Sequence, residues 1–544
     1  MTTAQPDNFI IYTVEEYGGI IHFAGMYYSF SNTGLKLTIY YNDDLFYSAT
    51  TVKPDNLPLN ITNVDSTNKY WMDFYIPFLS AGFLKFYSLA PDGGVFPVLC
   101  RLALSSRLND QLDGAFAIGE HCIITRARQG GANEFIIDKL DYEKLCLIAN
   151  EYIDRHYKGD EYKDDLAIID AYINMYDYFS KKKIWLFMDR RNKADESAEY
   201  LFEYCSGIND GVDKYFIINK DSLDAARISR YGQVIDYGSS QHKFLALFAD
   251  KFICSFFEYL YEYPFDNAAD TMKQHLYRGL VRSKFVYLQH GVFKDDLSAI
   301  FNRYVKNAKL IITSSLLEGA VLTSEKYGFS CDAIKNTGAP KYDGLYNDVK
   351  KKILFMPTWR RNMSENDSEY NIKFAVSDYC ININGFLNNE RLLAAAKKHG
   401  YEILFRPHPR TLVQLKDFKV SWPAAIVSRK IRNRQLYAEG ALLVTDYSSA
   451  MFDFAYIKKP VVYYQFSEHN YETKYFDYGI MGFGEVENSL EGIVTRIIEY
   501  MESGCRIKTM FKDRIECFFS YNDFDNCKRS YNEIRKMKSL REGI

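Results

Sequence analysis

The sequence predicts an α/β protein with two doubly wound, Rossmann-like domains in tandem, preceded by a small β-rich domain and a helical bridge. From Lys183 onward, apolar strand-length runs alternate with helix-length segments, which is the pattern of a parallel sheet covered by helices on both faces. The alternation comes in two series, separated by the hydrophilic stretch YDGLYNDVKKK. A chain of 544 residues is also too long for a single core.

Four segments follow along the chain. Residues 1–138 contain short β-prone runs separated by turn signals, such as LKLTIYY, APDGG and the hairpin-like CIITRAR–QGGAN–EFIIDKL. Residues 139–183 have helical periodicity. The first alternating series occupies 184–345, with strand candidates KIWLFMD, KYFIIN, KFICSF, KFVYLQHG, LIITSS and IKNTG. The second occupies 350–544, with ILFMPTW, YEILFRPHP, AAIVS, ALLVTD and PVVYYQF, and it ends in helices.

Composition narrows the class of protein. A net charge of −3 gives no general case for nucleic-acid binding. The ten cysteines are scattered without a CxxC pair, which argues against a zinc ribbon or a disulfide framework and suits a reducing cytoplasm. The start MTTAQPDNF lacks the features of a signal peptide, and no apolar run approaches the ~18 residues that a membrane-spanning helix needs. We expect a cytoplasmic chain that is soluble or held peripherally at a membrane.

Polar residues at strand ends are the candidates for chemistry, because ligands of doubly wound sheets bind at the carboxyl ends of the strands. His290 follows the apolar run FVYLQ and precedes Gly291. An imidazole there is placed to act as a general base, since its unperturbed pKa lies near neutrality. A structural histidine bonded to a loop carbonyl fits the position equally well.

Arginine-rich stretches end two strands of the second series. MPTWRRN places Thr358 and Arg360 after one strand, and RPHPR places Arg406 and His408 after another. Arginine suits bidentate recognition of phosphate or carboxylate. Either stretch alone would be typical of a solvated basic surface, but their recurrence at strand ends favours an anion site.

The stretch VTDYSSAMFDFA joins a strand to a helix and carries Asp446, Ser448, Ser449 and Asp453. A helix start presents unpaired N–H groups, and two serine hydroxyls there would add donors for a phosphate or diphosphate. The alternative is that one serine only caps the helix. Asp453, one turn further on, is expected either to orient a cationic or hydroxylated neighbour or to face solvent.

No metal or nucleotide-loop motif accompanies these residues in the sequence. It has no HxxxH, no DxD at a strand end, no EF-hand loop, no Walker A loop and no GxGxxG after a strand. A P-loop kinase or an ordinary dehydrogenase is therefore not expected, and the sequence requires no cofactor.

The motifs QHGVFKDD, MPTWR, RPHP, DYSSAMFDFA and KPVVYYQF resemble, in order and approximate spacing, those of the CDP-glycerol glycerophosphotransferase family, which includes teichoic-acid and capsule polymerases. The resemblance runs from about Ile184 to the C-terminus. It implies a GT-B fold, in which two Rossmann-like domains face a cleft and the C-terminal one holds most of the nucleotide. It also implies transfer of a polyol phosphate from CDP-glycerol or CDP-ribitol to a hydroxyl of a lipid-linked polymer, with CMP as the leaving group.

The resemblance implies roles for the candidate residues as well. By position in the motifs, His290 matches the base, and His408 matches a histidine near the donor diphosphate. The motifs that line the donor site contain Thr358, Arg360, Arg406, Asp446, Ser448, Ser449 and Asp453. One departure is Ser467, which stands where many relatives carry Asp and is followed by Glu468 and His469. Either Glu468 substitutes for that Asp, or the acceptor or polyol differs.

Two other functions stay open at this point. A glycosyltransferase or nucleotide-sugar 2-epimerase of the same architecture would also use a helix start to bind a diphosphate. A non-catalytic assembly factor, with the β-rich domain as its working part, would have no need to keep both histidines and both serines.

Two basic stretches bear on location. RKIRNR (Arg429 to Arg434) and KMKSLR (Lys536 to Arg541) are either solvated faces or contacts with an anionic membrane surface. The family resemblance favours peripheral attachment to the inner face of the plasma membrane.

Overall fold

A β-rich N-terminal part, three helices and two parallel sheets with flanking helices make up the computed structural model of the chain. The structure describes residues 8–17, 20–28, 36–41, 44–50, 69–77, 82–89, 95–102, 115–118, 121–125, 134–156, 163–257, 280–303, 306, 308–360, 370–428, 430–467 and 475–539.

The N-terminal part contains two mainly antiparallel sheets, with strand orders β5-β2-β1-β8 and β4-β3-β6-β11-β10-β9, and β7 beside β6. Its described strands are β1 (Asn8–Tyr17), β2 (Ile20–Tyr28), β3 (Lys36–Tyr41), β4 (Asp44–Thr50), β5 (Lys69–Pro77), β6 (Gly82–Leu89), β7 (Val95–Pro97), β8 (Leu99–Leu102), β9 (Ala115–Ile118), β10 (His121–Thr125) and β11 (Glu134–Lys139). Burial alternates along β6, so that Leu84 and Phe86 enter the core. The predicted hairpin is confirmed by the antiparallel pairing of β10 with β11, and its QGGAN loop lies outside the described residues.

The helical bridge is confirmed by α1 (Tyr142–His156), α2 (Lys163–Asn174) and α3 (Tyr176–Phe179). The β-rich part also contacts the first parallel-sheet unit directly. The imidazole of His22 in β2 stacks on Tyr75, with ring centres 4.4 Å apart, and its Nδ1 lies 3.1 Å from Nη2 of Arg303.

The first parallel sheet has the strand order β14-β13-β12-β15-β16-β17-β18. Its strands are β12 (Lys183–Met188), β13 (Val212–Ile217), β14 (Gln233–Ile235), β15 (Lys251–Cys254), β16 (Lys284–Tyr287), β17 (Ala308–Thr313) and β18 (Ile334–Asn336). Its described helices are α4 (Ser197–Ser206), α5 (Ala225–Ile228), α6 (Ser240–Phe248) and α7 (Leu316–Leu322). All six strand candidates of the first series are strands, whereas the three-residue β14 gave no strong sequence signal.

The second parallel sheet has the order β21-β20-β19-β22-β23-β24. Its strands are β19 (Lys352–Met356), β20 (Glu402–Phe405), β21 (Ala424–Ile426), β22 (Gly440–Thr445), β23 (Val461–Tyr464) and β24 (Val486–Glu487). Its described α-helices are α8 (Asp378–Leu387), α9 (Glu390–His399), α10 (Asn433–Glu439), α11 (Ala450–Tyr456), α12 (Leu490–Glu502), α13 (Thr509–Phe518) and α14 (Asn526–Lys536). The central strand β22 is buried along its whole length, as expected for a sheet covered on both faces.

The last helix returns to the first sheet. Tyr531 and Ile534 of α14 share a core cluster with Phe202 of α4, and the Tyr531 hydroxyl donates to Asp210 Oδ2 at 2.7 Å. The two Rossmann-like units are therefore held together by the chain end as well as by the connection at residues 346–351. The boundaries drawn from the sequence, 1–138, 139–183, 184–345 and 350–544, stay predictions. Within the described part of the chain, we find no helix with the length and apolar character required to cross a bilayer.

Candidate active site at the strand ends

His290 lies just beyond β16 and is held by the neighbouring strand end. Gln289, before it, has a φ of 62°, which turns the chain out of the sheet. The His290 Nδ1 is 3.3 Å from the carbonyl oxygen of Ser255, and its imidazole stacks on Phe256 with ring centres 4.3 Å apart. A carbonyl oxygen only accepts, so Nδ1 carries the proton and Nε2 keeps the lone pair. The contact with a loop carbonyl and the ability to act as a base are therefore compatible.

Electrostatics keep this imidazole neutral. Burial, followed by the positive charges of Arg190 and Lys341, lowers the pKa of His290 to about 3. The Nε2 lone pair is therefore available at physiological pH. A bound anion nearby would raise this pKa, because it stabilises the protonated ring.

A buried carboxylate fixes the loop that supports His290. Asp189 follows β12, and its Oδ1 accepts from Ser255 Oγ at 2.6 Å and from the backbone N–H of Ala198 at 3.0 Å. Burial raises the pKa of Asp189 to about 6, although these hydrogen bonds act in the opposite direction. Asp189 therefore ties three elements together: the ends of β12 and β15 and the start of α4.

The two serines stand at the start of α11, where they play different parts. Ser448 Oγ accepts from the Ala450 N–H at 3.3 Å, while the Ser449 side chain makes no capping hydrogen bond. A Cβ placed on Gly291 would lie 3.1 Å from Ser449 Oγ. The glycine therefore permits a close approach between the His290 loop of the first unit and the α11 start of the second.

Lys341 also joins the two units. Its Nζ lies 2.9 Å from Asp453 Oδ1 and 3.4 Å from Glu196 Oε2, and it donates to the His290 carbonyl oxygen at 2.9 Å. Burial lowers the pKa of Lys341, but the carboxylates of Asp453 and Glu196 more than offset this and raise it. Asp453 thus orients a cationic neighbour, which was one of its two expected roles.

Asp446 organises the loop after β22. Its Oδ1 accepts from the backbone N–H of Thr358 at 2.8 Å and from that of Tyr447, and its Oδ2 accepts from Arg360 Nη1 at 2.8 Å. Arg360 is only 8% exposed, and its Nε donates to Ser467 Oγ at 3.0 Å. The Ser467 hydroxyl thus takes part in holding Arg360, while Glu468 and His469 lie outside the described residues.

His408 begins the 3-10 helix Pro409–Asp417 after β20, and its Nδ1 accepts from the Arg410 N–H at 3.2 Å. In a neutral imidazole the proton then sits on Nε2, which makes His408 a hydrogen-bond donor at that atom. Burial, followed by the charges of Arg410 and Arg190, lowers the pKa of His408 to about 4. The two histidines therefore present opposite tautomers, with an acceptor at Nε2 of His290 and a donor at Nε2 of His408.

The Arg406 guanidinium forms hydrogen bonds within its own domain. It donates to the carbonyl oxygens of Ser428 and Ile431, at 2.8 and 3.1 Å. These contacts fix the loop between β21 and α10. The structure thus brings His290, Ser449 and Asp453 together through Gly291 and Lys341, and it places the Arg406 guanidinium on that loop.

Part of the basic stretch RKIRNR lies at the contact between the two units. Arg432 Nε donates to Asp195 Oδ1 at 2.8 Å, and its Nη2 donates to Glu199 Oε1 at 3.0 Å. Arg429, and Arg541 of the second basic stretch, lie outside the described residues.

Two residues of the site had no place among the sequence candidates. Lys341 lies in the connection GAPKYDG, where no pattern distinguishes it from an exposed lysine. Arg190 follows β12 and Asp189, so the strand-end rule that selected His290 would also have selected it. Across the described residues, no three His, Cys, Asp or Glu side chains cluster in a way that could hold a metal ion.

Curated relatives share much of this chain. The minor teichoic acid biosynthesis protein GgaB of Bacillus subtilis (strain 168) is 35% identical over 422 residues, which cover 73% of this chain and 46% of GgaB. A teichoic acid poly(glycerol phosphate) polymerase of Bacillus spizizenii (strain ATCC 23059 / NRRL B-14472 / W23) is 29% identical over 160 residues, 28% of this chain and 36% of that protein. The chain thus spans less than half the length of either relative.

The fold has a solved counterpart in the wall teichoic acid polymerase TagF. One TagF structure aligns with a TM-score of 0.51 and 14% identity, covering 74% of this chain and all of the TagF chain. This likeness confirms the predicted GT-B-like fold. The family described as CDP-glycerol:poly(glycerophosphate) glycerophosphotransferase matches residues 170–536. The chain therefore belongs to this glycerophosphotransferase family.

Proposed function

We propose that the chain transfers a polyol phosphate from a CDP-activated donor to a hydroxyl group of a lipid-linked, teichoic-acid-like or capsular polymer, releasing CMP. We propose glycerol phosphate as the transferred group, with ribitol phosphate as the alternative. Family membership supports the reaction class, and one TagF structure was solved after a soak with CDPG. Among the relatives, both glycerol-phosphate and ribitol-phosphate polymerases occur.

The close approach of Gly291 to Ser449 is the observation that carries this proposal. It sets the His290 loop of one unit against the α11 start of the other, with only 3.1 Å between Ser449 Oγ and the position that a Cβ on Gly291 would take. In the proposed transfer the acceptor hydroxyl must lie between the base and the donor phosphate, so the loops that carry these groups have to be close together. The contact between Gly291 and Ser449 supports the proposal because it joins the His290 loop to the α11 start.

In the proposed reaction, His290 activates the acceptor. The acceptor hydroxyl gives its proton to Nε2 of His290 while its oxygen bonds to the polyol-bearing phosphorus. The bond between that phosphorus and the bridging oxygen of the diphosphate breaks, and the bridging oxygen leaves with its electron pair as part of CMP. The donor's negative charge raises the pKa of His290 as it binds, which strengthens the base in the complex.

Hydrogen-bond donors stabilise the charge that moves onto the leaving group. His408, with its proton on Nε2, and the hydroxyl of Ser449 are the groups assigned to this role. Asp446 and Arg360 keep Thr358 and the serine loop in place, so they contribute by positioning. In-line phosphoryl transfer depends mainly on such positioning and charge stabilisation, and the proposed step uses side chains alone.

The proposal also covers the location of the chain and the role of its β-rich part. A lipid-linked acceptor would be reached at a membrane surface, and the proposal places the chain peripherally at the inner face of the plasma membrane. The β-rich part is proposed to hold the acceptor polymer or a partner, since it contacts the first unit through His22 and Arg303.

The test is release of CMP. The purified chain is incubated with CDP-glycerol or CDP-ribitol and a lipid-linked or oligomeric acceptor, and CMP is quantified by chromatography. We expect acceptor-dependent CMP from one donor and a loss of about 100- to 10,000-fold in the rate with His290→Ala. His399→Ala, at the end of α9, is the matched control and should retain the rate. UDP or UMP from a nucleotide sugar, with no CMP, would overturn the proposal.

A further inference from the structure

Arg190 lies just beyond the end of β12, at the same edge of the parallel sheet as the proposed base, which follows β16. Its backbone is fixed by a bridge in which the Arg190 N–H donates to the Lys193 carbonyl oxygen at 3.0 Å. Its side chain is exposed although its neighbour Asp189 is fully buried. The turn thus holds a cation at the edge of the sheet where ligands of this fold bind.

The guanidinium of Arg190 lies against an aromatic ring. Its central carbon lies 3.9 Å from the centre of the Phe256 ring, and the same ring stacks on the imidazole of His290 at 4.3 Å. A cation–π contact restrains the position of the guanidinium. The Arg190 guanidinium and the imidazole of the proposed base therefore contact the same ring.

The electric field of Arg190 reaches both histidines. Its charge contributes to the lowered pKa of His290 in the first unit and of His408 in the second. Arg190 therefore lies within electrostatic range of a histidine on each unit.

We propose that Arg190, braced on Phe256, binds a phosphate group of a reactant next to His290. The inference rests on the proposed function, because it takes His290 as the base. Two reactants carry such a phosphate group. One is the CDP-activated donor, with its diphosphate, and the other is the acceptor polymer, with the phosphodiester next to its terminal hydroxyl. Arginine recognises either one, since its planar fork matches two phosphate oxygens.

The neighbouring arginine provides a matched control. Arg191 differs from Arg190 by one position, but its guanidinium lies near a different ring, 5.6 Å from the centre of Tyr237. Arg191→Gln therefore removes the same charge without removing the proposed phosphate contact. Arg190→Lys keeps the charge and loses the fork, so it separates bidentate recognition from simple attraction.

The experiment compares Arg190→Gln, Arg190→Lys and Arg191→Gln with the unaltered chain. Steady-state CMP release gives KM for CDP-glycerol, for an oligo(glycerol phosphate) acceptor and for a neutral acceptor with the same terminal hydroxyl. We expect Arg190→Gln to raise one KM by about 10- to 100-fold, Arg190→Lys to raise it less, and Arg191→Gln to leave it within about twofold. A higher KM for CDP-glycerol identifies the donor as the source. A higher KM for the phosphorylated acceptor alone identifies the acceptor.

Equal KM values in Arg190→Gln and the unaltered chain would overturn the proposal, as would an equal effect of Arg191→Gln. Direct titration calorimetry with CDP-glycerol and with oligo(glycerol phosphate) keeps this test separate from the reaction itself. If the unaltered chain binds one ligand without turnover and Arg190→Gln weakens that binding, the phosphate site stands although the proposed reaction fails. If turnover occurs and neither binding constant changes, the reaction stands and the Arg190 proposal fails.

Discussion

Gly291 and Ser449 face each other so closely that a methyl group on Gly291 would lie 3.1 Å from Ser449 Oγ and 3.2 Å from its Cβ. The two residues belong to different parallel-sheet units and are 158 positions apart in the chain (449 minus 291). Their contact sets the loop of the proposed base against the proposed donor site. Small displacements at this point should therefore act on transfer rather than on folding.

Gly291→Ala tests this relationship. The added methyl requires Ser449 to move by a few tenths of an ångström, because a contact of 3.1 Å is shorter than an ordinary van der Waals contact. We expect kcat to fall roughly tenfold, since misplacement of about 1 Å costs about 100-fold. The control is Gly319→Ala in α7, where the nearest atom to the new Cβ is 3.7 Å away. Unchanged kcat in Gly291→Ala would contradict the expectation.

Substitution of Lys341 is expected to reduce activity as much as substitution of His290, whose carbonyl oxygen Lys341 binds. Lys341→Met removes a donor from the His290 carbonyl and leaves Asp453 and Glu196 without their shared cation. Breaking a buried pair from one side costs about 3–5 kcal/mol, so the melting temperature and kcat/KM should both fall. Lys341→Arg should lose less in both measurements.

A second substitution separates stability from activity at this lysine. In Lys341→Met/Asp453→Asn the uncompensated carboxylate at residue 453 is gone, while the His290 carbonyl still lacks its donor. We expect the melting temperature to recover part of its loss, since Glu196 still lacks its cation, and the rate of CMP release to stay low. Recovery of both would show that Lys341 matters only as a counter-charge.

The sheets and the strand-end positions could be predicted because their signals are local. Apolar runs of four to six residues followed by polar residues identify β16 and β22, and therefore His290 and Ser448, without knowledge of any distant partner. The two-residue β24 is too short to produce a comparable signal.

Partners across long sequence distances could not be predicted. The hydrogen bond between Lys341 and Asp453 spans 112 positions, and that between Arg360 and Asp446 spans 86. The sequence shows an arginine at a strand end, but whether it meets a ligand, a carboxylate or loop carbonyls depends on tertiary packing. Arg406, on the carbonyls of Ser428 and Ile431, illustrates this, and its role in donor binding stays a prediction.

The lowered pKa of His290 predicts that its imidazole stays neutral in mildly acidic solution. Because the pKa is lowered to about 3, the neutral form persists as the pH falls from 7.5 to 5, whereas an ordinary histidine, with a pKa of about 6.5, becomes protonated. Diethyl pyrocarbonate reacts with neutral imidazole. Its rate of reaction at His290, followed by mass spectrometry, should change little over this range, while that of a histidine peptide in the same tube falls about tenfold or more. A parallel fall at His290 would contradict the prediction.

Ser467 should matter through Arg360. Ser467→Ala leaves the Nε–H of a guanidinium that is 8% exposed without its hydroxyl acceptor, which costs about 1–3 kcal/mol. Ser467→Asp supplies a carboxylate acceptor in place of the hydroxyl. We expect the melting temperature of Ser467→Ala to be lower than that of the unaltered chain, and that of Ser467→Asp to be equal or higher. A melting temperature of Ser467→Ala equal to that of the unaltered chain would mean that the hydroxyl does not support Arg360.

Substitution of Arg432 distinguishes two roles of the basic stretch RKIRNR, namely contact between the two units and contact with a membrane. Arg432→Gln removes an ion pair with Asp195 and Glu199, and Glu199 is fully buried. We expect a lower melting temperature and faster proteolysis between the two units, with binding to anionic lipid vesicles unchanged, because this guanidinium is occupied by carboxylates. The matched control for Arg432→Gln is Lys430, which lies two positions earlier and is exposed.

Lys430→Gln should leave the melting temperature unchanged, and it should weaken vesicle binding by about 1 kcal/mol if this stretch meets the membrane. Weaker vesicle binding with Arg432→Gln, at an unchanged melting temperature, would place Arg432 on the membrane face instead.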